Sequence, residues 1–530
     1  MPEPSRSRSE QGRFPRQRRC PLHEADNGIA TIQRMKLFRI AAFLVLSLFV
    51  GSLARAQSVG VFEVHFDETA FSDAYTGPVF IAFSEREDPL RDMHRWFNAP
   101  PLLRFDVEGV ASGQTLTLAT SDATAHHPLD WSTVTAGEWN VQAVVRLSRT
   151  GRQAGRSRGD VVGDAVKIDY DSRSKETVAL TLNAINTQEA FEETERVKLF
   201  QFVSPALSKF HGFDYTMNAG VLLPRDHDAS KRYPVVYSVT GFGGTHESIR
   251  RWEGRVKDTV LDDCIVVVPD ASNRYGHSVF CDSDSIGPWG KALVHELIPA
   301  LEKKYGGAGA TQRYTTGVSS GGWSSLWLQV AYPDDFAGCW SHVPDPIDFH
   351  DFQQIDLYTP LESGKPRNMY VDENGQPRPL ARRDGEVMLA YEEFARREHV
   401  LNPGGQIRSF DATFSPPLED GTPRRVFDIE TGVIDHEAAQ AWRKYDISHQ
   451  LLTRWDELRP RLTGKVHIYA GEVDTFYLEG AVERFQTLAR EAGLLDDMVV
   501  EVVPGMAHSL HGPGQEAMLE TIARRAEGGE

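Results

Sequence analysis

The sequence predicts an α/β protein in which an all-β domain precedes a doubly wound, mostly parallel sheet covered by helices. From about residue 57 to residue 186, apolar and polar residues alternate in short runs that are separated by turn clusters. After about residue 196, continuous apolar runs of strand length alternate with stretches of helix length. Alternation with period two is typical of antiparallel strands, whereas continuous apolar strands are typical of parallel sheets that are buried on both faces.

Length and charge limit the class of protein. A chain of 530 residues is expected to form two domains, and its hydrophobic content of 40% is enough for a large core. The formal net charge of −18 argues against binding to nucleic acid or to an anionic membrane, because both need a basic surface.

The N-terminal segment predicts export to the periplasm or the outside of the cell. Met35–Arg39 is short and basic, Ile40–Val50 is almost entirely apolar, and Ala54-Arg55-Ala56 matches a cleavage site. The apolar run is too short for a membrane anchor. We expect residues 1–56 to be a leader and signal peptide, with Met35 as the true start and a mature chain from near Gln57. The alternative is an unusually long basic region before the apolar run.

Three cysteines follow that segment: Cys264, Cys281 and Cys339. An odd number allows one disulfide at most, and the spacing matches no zinc site. We expect buried free thiols, and we expect the protein to need no metal or other cofactor.

Residues 57–190 are expected to form the all-β domain, most simply an immunoglobulin-like sandwich. Alternating runs such as Phe62–Phe66 and Val178–Leu182 lie between turn clusters. Adjacent residues of a strand point to opposite faces, so His126 and His127 are not expected to share a metal ion.

Residues 191–530 are expected to form the α/β domain. The predicted strands are 198–203, 215–223, 235–239, 264–268, 314–316, 336–342, 465–470 and 498–503, and the predicted helices are 247–258, 289–304, 323–332, 479–492 and 515–525. Residues 344–463 break this alternation, with one predicted helix at Val387–Arg397, and they are too long for a plain loop. We expect a cap over the sheet edge, and the alternative is a surface excursion with no role in catalysis.

One pentapeptide predicts a nucleophile. Gly317-Val318-Ser319-Ser320-Gly321 lies between a β-branched run and an amphipathic stretch, so a strand, a tight turn and a helix are expected there. In this context the pattern G-x-S-x-G is typical of the nucleophile elbow of an α/β-hydrolase. The alternative is a small-residue turn with an inert serine.

A serine nucleophile needs a histidine base and an acid that orients the histidine. Asp474 and His508 fit, because each follows a predicted strand and the order Ser319, Asp474, His508 is the order found in α/β-hydrolases. The sequence leaves open three other acids and one other base: Glu472, Asp345, Asp348 and His511.

Two backbone N–H groups are expected to stabilise an oxyanion. One belongs to Ser320, at the start of the elbow helix, and the other to the loop Thr240–Gly244, with Phe242 preferred and Gly243 next. The loop lacks the lysine of a phosphate-binding loop. Residues near the site loops are expected to line a substrate pocket, with core positions as the alternative for the aromatic ones: Gly243, Tyr275, Trp289, Trp323, Phe476 and Tyr477.

The second domain resembles the esterase branch of the α/β-hydrolases, which includes esterase D-like enzymes, feruloyl, acetylxylan and enterochelin esterases, and mycolyltransferases. The resemblance rests on Arg232–Val236, Gly241–Gly244, Glu296–Pro299, Gly317–Gly322, Gly471–Asp474 and the loop at His508. It implies Ser319 as nucleophile, Asp474 as acid, His508 as base, and the N–H groups of Ser320 and Phe242 as the oxyanion hole. Many members have His-Gly where this chain has Thr240-Gly241, so the support of that loop is expected to differ.

Together these observations predict an exported serine esterase that cleaves a small-molecule or polysaccharide-linked carboxylic ester through an acyl-enzyme. Three alternatives stay open. A serine peptidase or an acyltransferase could use the same three residues, and a non-catalytic protein could use the β domain to bind carbohydrate. The β domain and the large insertion are not general features of the family, so the resemblance does not imply a substrate.

Overall fold

The computed structural model describes residues 60–171, 177–187, 189–509 and 512–526. The predicted leader and signal peptide lie outside the described residues. Within the described part of the chain, no helix is both long and apolar enough to cross a membrane. Residues Ser58–Glu530 form one compact unit, and the limits of the two predicted domains stay predictions.

The N-terminal region is rich in strands, as predicted. Its strands are β1 (Val61–Phe66), β2 (Tyr75–Ser84), β3 (Leu102–Val110), β4 (Thr115–Ala119), β5 (Ala125–His127), β6 (Gly137–Val145), β7 (Val161–Gly163), β8 (Val166–Tyr170) and β9 (Thr177–Ile185). Hydrogen bonds join them in the order β4-β1-β9-β7-β6-β2-β3-β5, with β8 paired to β6. Alternate side chains bury a core that includes Phe62, Phe83 and Trp139. An immunoglobulin-like pair of packed sheets stays a prediction, because the hydrogen-bonded network is continuous.

The strands of the second region are β10 (Val197–Val203), β11 (Thr216–Leu222), β12 (Val235–Val239), β13 (Ile265–Pro269), β14 (Ser272–Asn273), β15 (Gly276–His277), β16 (Asp282–Ser283), β17 (Gly287–Pro288), β18 (Arg313–Ser319), β19 (Gly338–Pro344), β20 (Pro379–Arg383), β21 (Glu386–Ala390), β22 (Val466–Gly471) and β23 (Val499–Val503). Eight of them form a sheet in the order β10-β11-β13-β12-β18-β19-β22-β23. β11 is antiparallel to both of its neighbours, and the six strands from β13 to β23 in this order are parallel. The sheet is therefore mostly parallel, as predicted.

The α-helices of the described residues are α1 (Pro89–Asp92), α2 (Pro205–His211), α3 (Trp252–Val256), α4 (Trp289–Lys291), α5 (Ile298–Tyr305), α6 (Ser320–Ala331), α7 (Tyr391–Val400), α8 (Gln406–Phe414), α9 (His436–Trp442), α10 (Ile447–Leu462), α11 (Glu479–Glu491) and α12 (Pro513–Ala526). A π-helical stretch, Ala292–Leu297, joins α4 to α5. Short 3-10 helices lie at Thr120–Asp122, Trp131–Thr133, His246–Arg251, Val260–Asp263, Ala310–Gln312, Phe349–Asp351 and Arg443–Tyr445.

The second sheet is buried on both faces, which explains its continuous apolar strands. On β12, Val235 and Tyr237 pack in one core cluster, whereas Val236 between them packs in another. The loops that follow the parallel strands leave the same edge of the sheet, so residues far apart in sequence can meet there. That the sheet is doubly wound stays a prediction.

The segment between β19 and β22 contains more regular structure than the sequence suggested. It holds the hairpin β20–β21 and the four helices α7 to α10. The predicted helix Val387–Arg397 is wrong at its start, because residues up to Ala390 form β21. Asp384 and Gly385 both have positive φ, 51° and 82°, and such a pair favours a tight hairpin over a helix start.

The N-terminal region and this segment share a core. Phe80, Met93 and Leu102 pack with Val400 and Leu401, at the end of α7. The three cysteines of the described residues, Cys264, Cys281 and Cys339, are buried and unpaired, as predicted.

Candidate active site

Ser319 ends β18 and stands directly before α6, with φ 59° and ψ −127°. Two glycines make this turn possible. A Cβ atom on Gly317 would lie 2.2 Å from the carbonyl oxygen of Gly321, and one on Gly321 would lie 2.0 Å from that of Val239. The serine therefore occupies a strained strand-to-helix turn, which is the geometry of a nucleophile elbow.

His508 is held by a carboxylate. Its Nδ1 lies 2.8 Å from Oδ2 of Asp474, which is fully buried. The other carboxylate oxygen of Asp474 accepts the N–H of Phe476, and Nε of Arg382 donates to the Asp474 carbonyl. A neutral histidine that donates its Nδ1–H to a carboxylate presents an unprotonated Nε2, as a base requires.

The hydroxyl of Ser319 contacts a different carboxylate. Its Oγ lies 3.3 Å from Oδ1 of Asp345, just after β19. The other oxygen of Asp345 accepts hydrogen bonds from Ser320 Oγ at 2.6 Å and Gln406 Nε2 at 3.0 Å. Among the described residues, no hydrogen bond joins Ser319 to His508, although the charge of His508 acts on Asp345. Burial raises the pKa of Asp345 to about 6.

The other alternative acids and the alternative base have different surroundings. Glu472 accepts the N–H of Gly505 at 2.8 Å. Asp348 lies near the side chains of His350, Ser448 and Arg484. His511 lies outside the described residues.

Asp348, His350 and Asp446 have donor atoms within 4.8 Å of one another, close enough to share a metal ion. Asp446, however, accepts the N–H groups of Phe349 and His449, so it caps α10. The guanidinium of Arg484, 3.3 Å from Asp348, supplies positive charge to this cluster without an ion.

The loop after β12 approaches the serine closely. A Cβ atom on Gly241 would lie 3.2 Å from Cβ of Ser319. Nε2 of His277 donates to the Thr240 carbonyl at 3.0 Å, while Nδ1 accepts the N–H of Val279, and burial lowers the pKa of His277 to about 4. A neutral histidine from another loop therefore supports this turn.

Arg152, from the N-terminal region, also supports the loop. Its Nη2 donates to the Gly243 carbonyl at 3.1 Å, and its guanidinium lies 4.9 Å from the centre of the Phe242 ring. Sequence reasoning missed both Arg152 and His277, because neither lies near a motif. Gly243 thus contacts an arginine and does not line the cleft beside the serine.

Ser319 and Asp345 line a narrow cleft that opens to solvent. Its other lining residues are mostly apolar: Trp96, Pro346, Gln353, Leu380, Phe394, Gln406, Ile407, Phe410, Phe476 and Leu478. Phe476 was expected from the sequence, and its ring stands perpendicular to that of His508 with centres 5.0 Å apart. Leu478 lies in the same loop as Phe476, and the other apolar lining residues come from the N-terminal region and the segment between β19 and β22, where no motif marks them individually.

The other aromatic residues expected at the pocket lie elsewhere, so those predictions are corrected. Trp289 is 1% exposed and packs against Tyr215 and Phe280 in the core. Tyr477 lies under the guanidinium of Arg382. Two further ones, Tyr275 and Trp323, also pack against core clusters.

The fold and the elbow define the class of protein. A serine between β18 and α6, at the edge of a mostly parallel sheet, belongs to an α/β-hydrolase. The chain belongs to the family described as "Putative esterase", whose model matches residues 211–518. This membership confirms the predicted class of enzyme, a carboxylic ester hydrolase.

Several solved structures are similar to the chain. A ferulic acid esterase is 14% identical, with 62% of this chain and 98% of that chain covered and a TM-score of 0.37. An S-formylglutathione hydrolase from Agrobacterium tumefaciens is 17% identical, with 62% and 94% covered and a TM-score of 0.36. A ferulic acid esterase from Anaeromyces mucronatus is 16% identical, with 61% and 88% covered and a TM-score of 0.29. A comparison with curated proteins finds no match.

Proposed function

We propose that the protein is an exported serine esterase in which Ser319, His508 and Asp474 cleave a carboxylic ester through an acyl-enzyme. One observation carries the proposal. The elbow serine ends β18, and the hydrogen-bonded Asp474 and His508 lie in the loops that follow β22 and β23, whose parallel strands end at the same edge of the sheet.

The proposed reaction follows from the chemistry of these groups. Ser319 Oγ attacks the ester carbonyl while Nε2 of His508 takes its proton, and the N–H groups of Ser320 and Phe242 stabilise the oxyanion. His508 then protonates the leaving alcohol, and water attacks the acyl-enzyme by the same steps. Asp474 holds the histidine in the required tautomer and stabilises the imidazolium.

The hydroxyl must change partner before it reacts. In the structure Ser319 Oγ bonds to Asp345, and attack on an ester needs it to turn towards His508. In our proposal the bond to Asp345 belongs to the resting enzyme.

The cleft supports a substrate with an apolar group beside the scissile bond. Its wall carries Trp96, Phe394, Phe410 and Phe476, whereas its polar groups are few. An open polar groove would suit a decorated polysaccharide better. We therefore propose aryl or fatty esters as the class of substrate.

Replacement of Ser319 tests this function. Ser319→Ala is expected to lower kcat on p-nitrophenyl esters about a thousandfold or more, because the nucleophile is lost. Ser325→Ala is the matched control, since its hydroxyl lies on the same helix and bonds to the Gly322 carbonyl. Equal activity of the wild type and Ser319→Ala would contradict the proposal.

The same assay separates the related reactions. Peptide anilides in place of esters would reveal a peptidase. Added sugar or glycerol acceptors, with analysis of the products, would reveal transfer of the acyl group to an alcohol other than water. We expect hydrolysis of esters to exceed both.

A further inference from the structure

Trp96 belongs to the N-terminal region, yet it lies at the candidate active site. It stands in the loop between α1 and β3 and lines the cleft that contains Ser319. Its ring centre lies 4.9 Å from that of Phe394, 5.7 Å from that of Phe242 and 5.9 Å from that of Phe476. Phe394 belongs to α7, Phe242 to the loop Thr240–Gly244, and Phe476 to the loop that carries Asp474.

A buried arginine fixes the loop that carries Trp96. Arg397 on α7 is 4% exposed, and its guanidinium donates to three backbone carbonyls: those of Arg95 at 3.0 Å, Pro100 at 3.3 Å and Met93 at 2.8 Å. These carbonyls lie on both sides of Trp96 in the sequence. The arginine thus ties the loop to the helix that also supplies Phe394.

Trp96 and Phe394 also line a second cavity, which is open to solvent and lies next to the first. The second cavity has a mixed lining: Phe242 and Leu401 are apolar, and the charged or polar side chains are those of His94, Arg95, Arg152, Gln153, Arg397 and Glu398. The two cavities have only these two aromatic residues in common. The pair therefore forms a partition between the space beside Ser319 and the space behind it.

We propose that Trp96 is a specificity-determining residue that limits the length of the apolar substrate group accepted beside Ser319. This inference rests on the proposed esterase function and adds the N-terminal region to the substrate site. With the Trp96 indole in place, a long apolar substrate group is stopped by the side chains of Trp96 and Phe394. Without the indole, the same group can extend into the second cavity.

The test compares Trp96→Ala with the wild type on two series of esters. One series varies the acyl group of p-nitrophenyl esters from butanoyl to decanoyl, and the other varies the alcohol of acetate esters over the same lengths. For each protein, kcat/KM for the longest ester is divided by kcat/KM for the shortest. The inference predicts that in one series this ratio is about tenfold higher for Trp96→Ala than for the wild type. That is the gain from burying about two further methylene groups.

A purely structural role of Trp96 predicts another result. Lower stability would reduce kcat/KM for all esters by the same factor, and the ratio would stay constant. Trp131→Ala is the matched control, because Trp131 is also half-buried in the N-terminal region but contacts Phe83 and Tyr170 instead of the cleft. We expect its ratios to equal those of the wild type.

Unchanged ratios in both series for folded Trp96→Ala would overturn the inference. If circular dichroism shows that this variant does not fold, Trp96→Phe is used, with the same direction of change expected and unchanged ratios again decisive. Failure of the proposed function looks different, since it would appear as equal activity of the wild type and Ser319→Ala.

Discussion

Asp345 is a buried carboxylate that contacts the serine of the elbow. It is 4% exposed, and it accepts hydrogen bonds from the side chains of Ser319, Ser320 and Gln406. Desolvation disfavours its charge more than these bonds favour it, so its pKa is raised. In the mechanism that we propose, this carboxylate holds the Ser319 hydroxyl in the resting enzyme.

The raised pKa predicts a pH dependence of stability. Because the pKa of Asp345 is about 6 in the folded protein, above its ordinary value of 3.8, its protonation stabilises the fold below about pH 4. That contribution is lost as the pH rises through 6. Asparagine cannot lose this contribution. The unfolding free energy of Asp345→Asn minus that of the wild type should therefore rise by up to about 3 kcal/mol from pH 4 to pH 7.

Urea titrations at the two pH values measure this difference. Asp348→Asn is the matched control, because the pKa of Asp348 is lowered: hydrogen bonds from His350 and Ser448 outweigh its burial. Its contribution is present from about pH 4 upward and is lost only at lower pH, so the difference between this variant and the wild type should stay nearly constant from pH 4 to pH 7. If the unfolding free energies of Asp345→Asn and the wild type differ by the same amount at both pH values, the pKa of Asp345 is not raised.

For single residues, the sequence predicts the chemical role better than it predicts the contacts of the side chain. Ser319, Asp474 and His508 were predicted because each follows a strand of recognisable pattern. Asp345 also follows such a strand, but the sequence does not tell that its carboxylate faces the serine and not the histidine. Side-chain direction after a strand end depends on the turn, which has no periodic pattern.

Among the elements, the elbow depends most strictly on its residues. Gly321 lies so close to β12 that any side chain would meet the Val239 carbonyl. The helix α6 and the strand β12 are both fixed by core packing, so neither can easily move away.

Gly321→Ala is therefore expected to lower the free energy of unfolding by about 1–3 kcal/mol, the usual cost of overpacking. It should also reduce esterase activity, because a shift of α6 moves the Ser320 N–H. Gly254→Ala is the control, since a Cβ atom there meets nothing within 4 Å and alanine favours a helix. Equal unfolding free energies of Gly321→Ala and the wild type in urea would contradict the close approach.

Elements with regular patterns were predicted well. The strands around β12, β13 and β22 are continuous apolar runs, and each was found within about two residues of its predicted limits. The hairpin β20–β21 was missed because its two short strands lack alternation, and only the Asp384-Gly385 pair marks it. Apart from Phe476, the aromatic residues of the cleft were missed because they come from several separate loops and helices.

In the whole molecule, the N-terminal region and the α/β region are joined by a shared core. Phe80, Met93 and Leu102 pack with Val400 and Leu401, and the polar clamp of Arg397 lies beside them. The family match covers residues 211–518 and so excludes the N-terminal region. Such contacts, which join residues about three hundred positions apart, leave no local pattern in the sequence.

This shared core predicts cooperative unfolding of the two regions. Calorimetry should show one transition, and Val400→Ala should shift the whole transition downward, at a cost of about 2 kcal/mol for the cavity. Val433→Ala, at an exposed position of the same segment, should leave it in place. Two transitions, of which only one responds to Val400→Ala, would mean that the regions unfold independently.

The clamp of Arg397 has an evolutionary consequence. The guanidinium binds main-chain oxygens, which every amino acid possesses, so it holds the loop irrespective of the side chains that the loop carries. Position 96 can therefore be exchanged without loss of the anchor. If Trp96 limits the length of the substrate as we propose, single mutations at position 96 would change the ester preference while the Arg397 anchor stays in place.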